Sequence, residues 1–225
     1  MNKIAVIVAG GAGKRMGNIV PKQFLLLNDK PVLWYTIDSF LRAYPDMQVV
    51  LVLPAEHLAK GREIAAKFTQ RDIFITEGGE TRYDSVKNGL KFVPAEDTVV
   101  FVHDGVRCLI SVPLIQRCYN QALQLGSAIP AVSATDSIRI VTGDGHYVEN
   151  RQHVRIIQTP QTFISNIILP AFNQPYNDAF TDEATVVEAF GTKVFLAEGE
   201  YDNIKITRPV DLVIAERIIQ DRLAF

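Results

Sequence analysis

Lys3-Ile4-Ala5-Val6-Ile7-Val8-Ala9-Gly10-Gly11-Ala12-Gly13-Lys14-Arg15 is the stretch on which the reading of this chain turns. Ile4 to Val8 is a run of apolar, largely β-branched residues, the pattern of a strand buried on both faces. Gly10, Gly11 and Gly13 follow at once. A glycine-rich turn leaves backbone N–H groups bare and lets an anion approach them closely. Lys14, Arg15 and Lys22 then add positive charge. Strand, bare amides and cations together read as a phosphate cradle; the plainer alternative is a tight strand-to-helix turn with solvated basic residues.

Two familiar cradles do not fit. The P-loop has a glycine five residues before its Gly-Lys pair and a Ser or Thr after it; here those places hold Val8 and Arg15. The dinucleotide fingerprint places glycines first, third and sixth and an acidic residue about 20 positions on. Counted from Gly11, the sixth place is Met16, and Leu33 and Trp34 stand where the carboxylate would be. A nicotinamide-dependent oxidoreductase is disfavoured on those grounds.

Outward from this stretch, apolar runs alternate with helical patterns. Gln48 to Leu53, Asp72 to Thr76, Thr98 to His103 and Ala128 to Val132 read as further strands. Pro31 to Leu41, Ala55 to Phe68, Arg82 to Phe92 and Pro113 to Leu125 read as helices between them. Such alternation predicts a mostly parallel α/β sheet with helices on both faces. The order breaks at Ser137 to Glu149, where alternating residues flank Thr142-Gly-Asp-Gly145, a hairpin signal. That hairpin covers an edge or projects as an arm. Helical tendency returns at Ile167 to Phe172 and Asp182 to Phe190, then a strand at Lys193 to Ala197 and an extended segment at Asn203 to Thr207. The closing helix, Pro209 to Leu223, turns Leu212, Val213, Ala215, Ile218 and Ile219 toward the core.

The 225 residues, 48% hydrophobic and 21% charged, supply one generous domain or a domain with an appendage. A net charge of −2 gives no global attraction to nucleic acid or anionic membrane. Cys108 and Cys118 form no disulfide framework and no metal-ligand spacing, and suit a reducing cytosol. No apolar run approaches the roughly 18 residues of a membrane span, and the chain enters a strand with no signal peptide. A cytoplasmic location is therefore expected.

Ligands of an open parallel sheet bind beyond the carboxyl ends of its strands, and polar residues gather there. The third strand leads into Gly78-Gly79-Glu80-Thr81-Arg82 and the fourth into His103-Asp104-Gly105-Val106-Arg107. Asp104 is placed to hold a divalent metal that bridges phosphates, or only to cap a turn. His103 reads as a structural histidine. No nucleophile–base pairing of the triad kind is found.

The ordered motifs Ala-Gly-Gly-x-Gly-x-Arg-Met, Pro-Lys-Gln-Phe, Gly-Gly-x-x-Arg-x-Asp-Ser-Val, His-Asp-x-x-Arg, Thr-Pro-Gln-x-Phe, Thr-Asp-Glu-Ala and Asp-Asn-Ile-Lys-x-Thr run from Ala9 to Thr207, within a resemblance that spans about Lys3 to Leu223. In this order they resemble the 2-C-methyl-D-erythritol 4-phosphate cytidylyltransferase family. The resemblance implies a Rossmann-like α/β domain over residues 1–225 with a projecting β-arm at about 137–153, assembled as a homodimer through that arm. It implies transfer of CMP from CTP to the polyol phosphate with release of pyrophosphate, using Mg²⁺, in non-mevalonate isoprenoid precursor synthesis. Ala9, Gly10, Gly11, Ala12 and Gly13 would hold the triphosphate and part of the cytidine. Gly79, Ser85 and Arg82 would face the nucleotide, and Arg15 and Lys22 would stabilise the transition state. Asp104 would sit near the metal and the acceptor, with Arg107, Ser137, Thr159 and Lys205 toward the acceptor. Arg151 resembles the arginine that the family's arm carries into a neighbouring subunit's site.

This sequence departs from the family's usual residues at Val8 (often Pro), Gly105 (often Ala), Cys108 (usually Pro) and Ser137 (usually Thr). The chemistry of the residues agrees with the resemblance. Joining two polyanions calls for preorganised cations and a metal, and Arg15, Lys22, Arg107, Arg151 and Lys205 form such a set. The nearest alternative is a cytidylyltransferase for another polyol phosphate, such as ribitol 5-phosphate. A nucleotide-binding regulator without catalysis is a third reading, disfavoured by the full cationic set.

Overall fold

The computed structural model describes residues 1–11, 20–95 and 98–224. In chain order, β1 (Asn2–Val8) is followed by a short ribbon, β2 (Leu26–Leu27) and β3 (Lys30–Pro31), then α1 (Val32–Ala43) and β4 (Met47–Leu53). Next come α2 (Leu58–Ala65), β5 (Ile73–Glu77), α3 (Arg82–Leu90), β6 (Thr98–Asp104), α4 (Val112–Leu125) and β7 (Ser127–Ser133). The hairpin β8 (Ile138–Thr142) and β9 (Gly145–Glu149) leads to β10 (Arg155–Ile157), β11 (Gln161–Ile164), α5 (Ser165–Ala171), α6 (Glu183–Ala189), β12 (Leu196–Glu198) and α7 (Pro209–Ala224).

The main sheet runs β5-β4-β1-β6-β11-β7, with β10 and β12 also paired to β7. β5, β4, β1 and β6 are mutually parallel, β11 is antiparallel to both its neighbours, and β12 is parallel to β7. The expected mostly parallel α/β sheet is therefore present. What the alternation did not reveal is β11, wedged between β6 and β7. Gln161, Thr162 and Phe163 are all buried, so this short strand shows neither the two-residue period of a half-exposed strand nor a long apolar run.

Side-chain alternation along the strands feeds two cores. Ala5 and Ile7 of β1 point with Val49, Leu51 and Leu53 of β4 to the face covered by Leu33, Ile37 and Phe40 of α1 and Leu114 and Ile115 of α4. Ile4, Val6 and Val8 point with Val50 and Val52 to the other face, under Tyr83, Val86 and Leu90 of α3, Ile168 of α5 and Val187 of α6. Helices thus cover both faces. A third cluster, Val106, Cys108, Leu109, Ile206, Ala215 and Ile219, packs α7 against the segments after β6 and before α7.

Several ends are written locally. Thr81 and Asp84 form a reciprocal capping box on α3, and Asp182 and Thr185 do so on α6. Ser111 caps α4, which ends at Gly126 with φ of 86°, a left-handed conformation suited to glycine. Residues 203–207 carry neither helix nor strand. Two expectations are corrected. The predicted helix from Ala55 begins as a 3₁₀ turn, Ala55–His57, before α2. Val213 is 66% exposed, because the buried stripe of α7 follows Leu212, Ala215 and Ile219, and Val213 lies about 100° off it.

β8 and β9 form their own two-stranded sheet, as expected of the hairpin. It carries Val141 at 80% and Val148 at 67% exposure, with Ile140 and Tyr147 paired on the other face and also exposed.

Gly89 is where α3 meets the sheet most closely. A Cβ there would lie 2.4 Å from Val6 Cγ1 and 2.9 Å from Val52 Cγ2. Gly89→Ala is therefore expected to lower stability by about 1–3 kcal/mol, in spite of alanine's better helix propensity. Urea unfolding should show an earlier midpoint at unchanged slope; an equal or later midpoint would show that the sheet yields at this contact.

Candidate active site

The carboxyl ends of β1, β4, β5 and β6 open onto a cleft of about 870 Å³. Pairing of β1 with β6 sets Val8 beside Asp104, so the glycine turn after β1 and the polar turn after β6 start level. The ladder continues into both turns: Ala9 N–H donates to Val52 O, and Gly105 N–H to Val8 O. A Cβ at Gly105 would stand 2.8 Å from Ala9 Cβ, so glycine at this position lets the two turns touch. Gln23 lies buried beneath and donates through Nε2 to the Ala9 carbonyl at 2.9 Å.

Ala9, Gly10, Gly11, Lys22, Gly79, Arg82, Ser85, Asp104 and Lys205 all line this cleft. Ala12, Gly13 and Arg15, expected in the same cradle, lie outside the described residues. Ser85 Oγ accepts from Gly79 N–H at 3.1 Å and donates to Thr81 O at 2.9 Å. It thereby ties the glycine turn after β5 to the first turn of α3. A Cβ on Gly79 would sit 2.2 Å from Asp84 Cβ, so the tight approach of turn to helix requires glycine. Lys22 Nζ donates to Ile206 O at 2.9 Å, next to Lys205. Two cations far apart in sequence thus come to one wall.

Asp104 is the hub. Its Oδ2 takes Lys205 Nζ at 2.9 Å and Arg107 Nε at 3.4 Å, and its Oδ1 takes Arg82 Nη2 at 3.4 Å. Burial by itself would raise this carboxyl; the positive charges of Arg82, Lys205 and Arg107 outweigh it and hold the group well below the usual carboxylate range. Arg82 in turn forms a two-pronged pair with Glu183, Nη1 to Oε1 and Nη2 to Oε2. Arg107 also donates to Asn203 O at 2.8 Å.

Thr159 stands behind Asp104 rather than on the cleft wall. Its Oγ1 accepts from Asp104 N–H at 3.1 Å and meets His103 Nδ1 at 3.0 Å. His103 Nε2 lies 3.2 Å from Arg107 O. Full burial pushes that imidazole down to about 3, against the pull of the Asp104 carboxylate. The structural reading of His103 fits this placement. Ser137 and Arg151 are exposed at the base of the hairpin, and Arg151 Nη1 donates to Thr135 O. Within one chain they do not join the cleft. Cys108 is buried in the α7 cluster, where desolvation pushes its thiol up to about 12, so it is an apolar filler rather than a reactive group.

Glu183, Gln23 and Asn203 were not singled out from sequence. Each lies inside a motif already noted, Thr-Asp-Glu-Ala, Pro-Lys-Gln and Asp-Asn-Ile-Lys, but spacing alone does not show that Glu183 meets an arginine 101 positions away.

Among the described residues, no group of three or more His, Cys, Asp and Glu side chains is gathered to hold a metal ion. The cleft offers Asp104, whose Oδ1 has a single long contact. One carboxylate fits the kind of magnesium site in which substrate phosphates supply most of the ligands.

A strand-end cleft in which cations converge beside a glycine turn defines an α/β enzyme that handles phosphorylated nucleotides, of the nucleotidyltransferase class. Sequence comparison narrows the class. A sequence model of the 2-C-methyl-D-erythritol 4-phosphate cytidylyltransferase family matches residues 3–221. A cytidylyltransferase of that name from Phocaeicola vulgatus is 43% identical over 222 residues, covering 97% of this chain and 100% of the relative. The Bacteroides fragilis protein of the same name is 42% identical over 221 residues, with 97% and 100% covered. The fold also matches the crystal structure of 4-diphosphocytidyl-2C-methyl-D-erythritol synthase from Anaerococcus prevotii, with a TM-score of 0.83, 29% identity and coverage of 97% and 98%. The Thermus thermophilus cytidylyltransferase structure matches with a TM-score of 0.77, 29% identity and coverage of 98% and 100%. The chain belongs to the 2-C-methyl-D-erythritol 4-phosphate cytidylyltransferase family, whose name gives the reaction: transfer of a cytidylyl group to that polyol phosphate.

His103 links this site to stability. In the unfolded chain its imidazole takes a proton near about pH 6.5, whereas the folded one stays neutral down to about 3. Below the unfolded value the unfolded state binds more protons, so stability is full above that value and falls with falling pH. The loss between about pH 7.5 and about pH 5 is expected to reach about 2 kcal/mol from this group. Unfolding free energies from urea for the parent and for His103→Gln should diverge by this amount across that range; parallel pH profiles would refute the assignment.

Proposed function

We propose that this cleft joins 2-C-methyl-D-erythritol 4-phosphate to the CMP part of CTP by electrostatic stabilisation, with no covalent intermediate on the protein. An ionised oxygen of the acceptor phosphate attacks the α-phosphorus of CTP. The bond from that phosphorus to its bridging oxygen breaks, and pyrophosphate leaves with the bonding electrons. The two reactants repel, and negative charge gathers on the bridging oxygen, so fixed positive charge lowers the barrier. The observation that carries this reading is the meeting of Lys22 and Lys205 beside the glycine turn, with Asp104 anchoring Lys205.

In this scheme the backbone of Ala9, Gly10 and Gly11, continuing through Ala12 and Gly13, cradles the triphosphate. Gly79, Ser85 and Arg82 hold the nucleotide. Lys22 and Arg15 stabilise the transition state. Lys205, Asp104 and Arg107 receive the acceptor, and Thr159 supports Asp104 through its hydroxyl. A divalent ion, Mg²⁺, held by the substrate phosphates and Asp104 would neutralise charge on the triphosphate and polarise it as a Lewis acid. The whole chain, 1–225, works as one nucleotidyltransferase domain with the β8–β9 hairpin as its arm. The exposed apolar residues of that hairpin support a two-fold dimer, in which Arg151 and Ser137 complete the partner's cleft.

Pyrophosphate release tests the reaction. CTP with 2-C-methyl-D-erythritol 4-phosphate should turn over best, with UTP the next nucleotide: a small site favours pyrimidines over purines, and bonding of cytosine's exocyclic amine favours CTP over UTP. Equal kcat/KM for ATP and CTP would sink the cytidylyl assignment, and preference for ribitol 5-phosphate would favour the alternative acceptor.

Subunit mixing tests the shared site. Lys22→Ala should fold normally and lose roughly 100-fold or more in kcat, the scale for one preorganised stabiliser; Arg151→Ala should be similarly impaired. If Arg151 acts across the dimer, each mixed dimer holds one intact site, and random equal mixing should restore roughly a quarter of parental activity. Activity that stays at the level of the two variants, with subunit exchange confirmed by mass spectrometry, would rule the arrangement out.

A further inference from the structure

Glu183 is 1% exposed and stands behind the cleft wall, not on it. Yet it faces the site's chemistry from behind, because both its oxygens meet the Arg82 guanidinium. Arg82 then reaches Asp104 Oδ1 with Nη2 at 3.4 Å. The connection closes on itself. Glu183 opens α6, and the next N–H, that of Ala184, donates to Gln161 Oε1 at 2.8 Å, while Gln161 Nε2 donates to Asp182 Oδ2 at 2.8 Å. Two residues before Gln161, Thr159 Oγ1 accepts from the backbone N–H of Asp104 at 3.1 Å. Asp104 is thus gripped at its main chain and at its carboxylate by two arms of one ring.

We propose that Glu183 is a positioning residue for the acceptor side of the site: by holding Arg82 from behind, it limits Arg82 to one oxygen of Asp104 and leaves the other to Lys205 and Arg107. This rests on the reading of the cleft given above. A half-buried guanidinium such as that of Arg82 seeks carboxylate partners in fixed, planar geometry. With Glu183 present, Arg82 is shared between two carboxylates and its direction is set by the two-pronged pair. Without that negative charge, Asp104 is the carboxylate left to it among its observed partners. Arg82 would then claim both Asp104 oxygens and compete with Lys205 at 2.9 Å and Arg107 at 3.4 Å. Lys205 and Arg107 would lose the anchor that aims them. The nucleotide's glycine cradle hangs on Gln23 and Ser85, outside this ring, and Arg82 keeps its place on the cleft wall through its pair with Asp104, so the effect should fall first on the acceptor.

Glu183→Gln keeps the side-chain shape and removes the charge. At a temperature where circular dichroism shows the variant folded, kcat/KM for 2-C-methyl-D-erythritol 4-phosphate is expected to drop on the order of 10- to 100-fold, the scale on which supporting partners of a site act. The KM for CTP should stay within roughly threefold of the parent's, the split that separates loss of one substrate's positioning from general damage. A purely structural role would lower the melting temperature and leave both substrates' kinetics unchanged in the folded protein, and that result overturns the proposal. Equal losses for CTP and acceptor overturn it as well. Should Glu183→Gln not fold, Glu183→Asp retains the charge but cannot reach both guanidinium nitrogens; it should show a smaller loss confined to the acceptor, and parental acceptor kinetics would refute the role. A parent that releases no pyrophosphate from CTP and this acceptor sinks the reading of the cleft itself. A parent that turns over while the variants keep its acceptor kinetics sinks only the role of Glu183.

Discussion

A buried carboxylate at the end of a central strand constrains the rest of this structure. Asp104 is 7% exposed, and an ionised carboxylate out of water is costly unless it is paired and hydrogen-bonded. Three cations answer that demand from three separate parts of the chain: Arg82 at the start of α3, Arg107 in the turn after β6, and Lys205 before α7. Each brings needs of its own. Arg82, itself half-buried, is matched by the fully buried Glu183 of α6. Arg107 is matched by the Asn203 carbonyl, and the Asn203 side chain donates to Thr159 O. Satisfying one charge draws five segments into a single constellation.

Close backbone approach is the second condition, and it explains where glycine stands. The in-register pairing of β1 and β6 delivers both turns to the same level, and Gly105 lets the second pass against Ala9. Gly79 lets the turn after β5 fold onto the capping box of α3. Backbone and a hydroxyl, Ser85, therefore line the cleft where bulkier turns would fill it. Lys22 and Lys205 stand beside the first of these turns, and Glu56, Glu77 and Glu80 also line the cleft.

The third cluster of apolar residues connects stability to the site. Ile206, beside Lys205, is fully buried against Val106, Ala215 and Ile219, and its N–H donates to Val106 O. Lys205 thus projects from a segment without helix or strand bonding of its own, held by α7 packing on one side and by one backbone bond on the other. Asp211 caps the start of α7 by accepting from Thr207 and Arg208 N–H groups. A lysine 101 positions from Asp104 is held in place by side-chain packing and a few bonds.

Local pattern was enough for the parts whose cause is local. Ile4 to Val8, Gln48 to Leu53 and Thr98 to His103 are apolar without interruption because strands buried on both faces leave no solvent side, and they read as central strands. The capping pairs of α3 and α6 and the glycines after β1 and β5 likewise carry their turns in their own residues, and the basic residues near them marked the end of the sheet where the cleft opens. Tertiary structure alone decided the rest. β11 is a strand because β6 and β7 offer it two partners, something no four-residue pattern expresses. Val213 is outside because α7 meets the protein along a narrower stripe than its apolar residues would fill. Glu183 became the partner of Arg82, and Thr159 the support of Asp104, because burial of charge selects partners by distance in space, and that distance is set only when the whole sheet has closed.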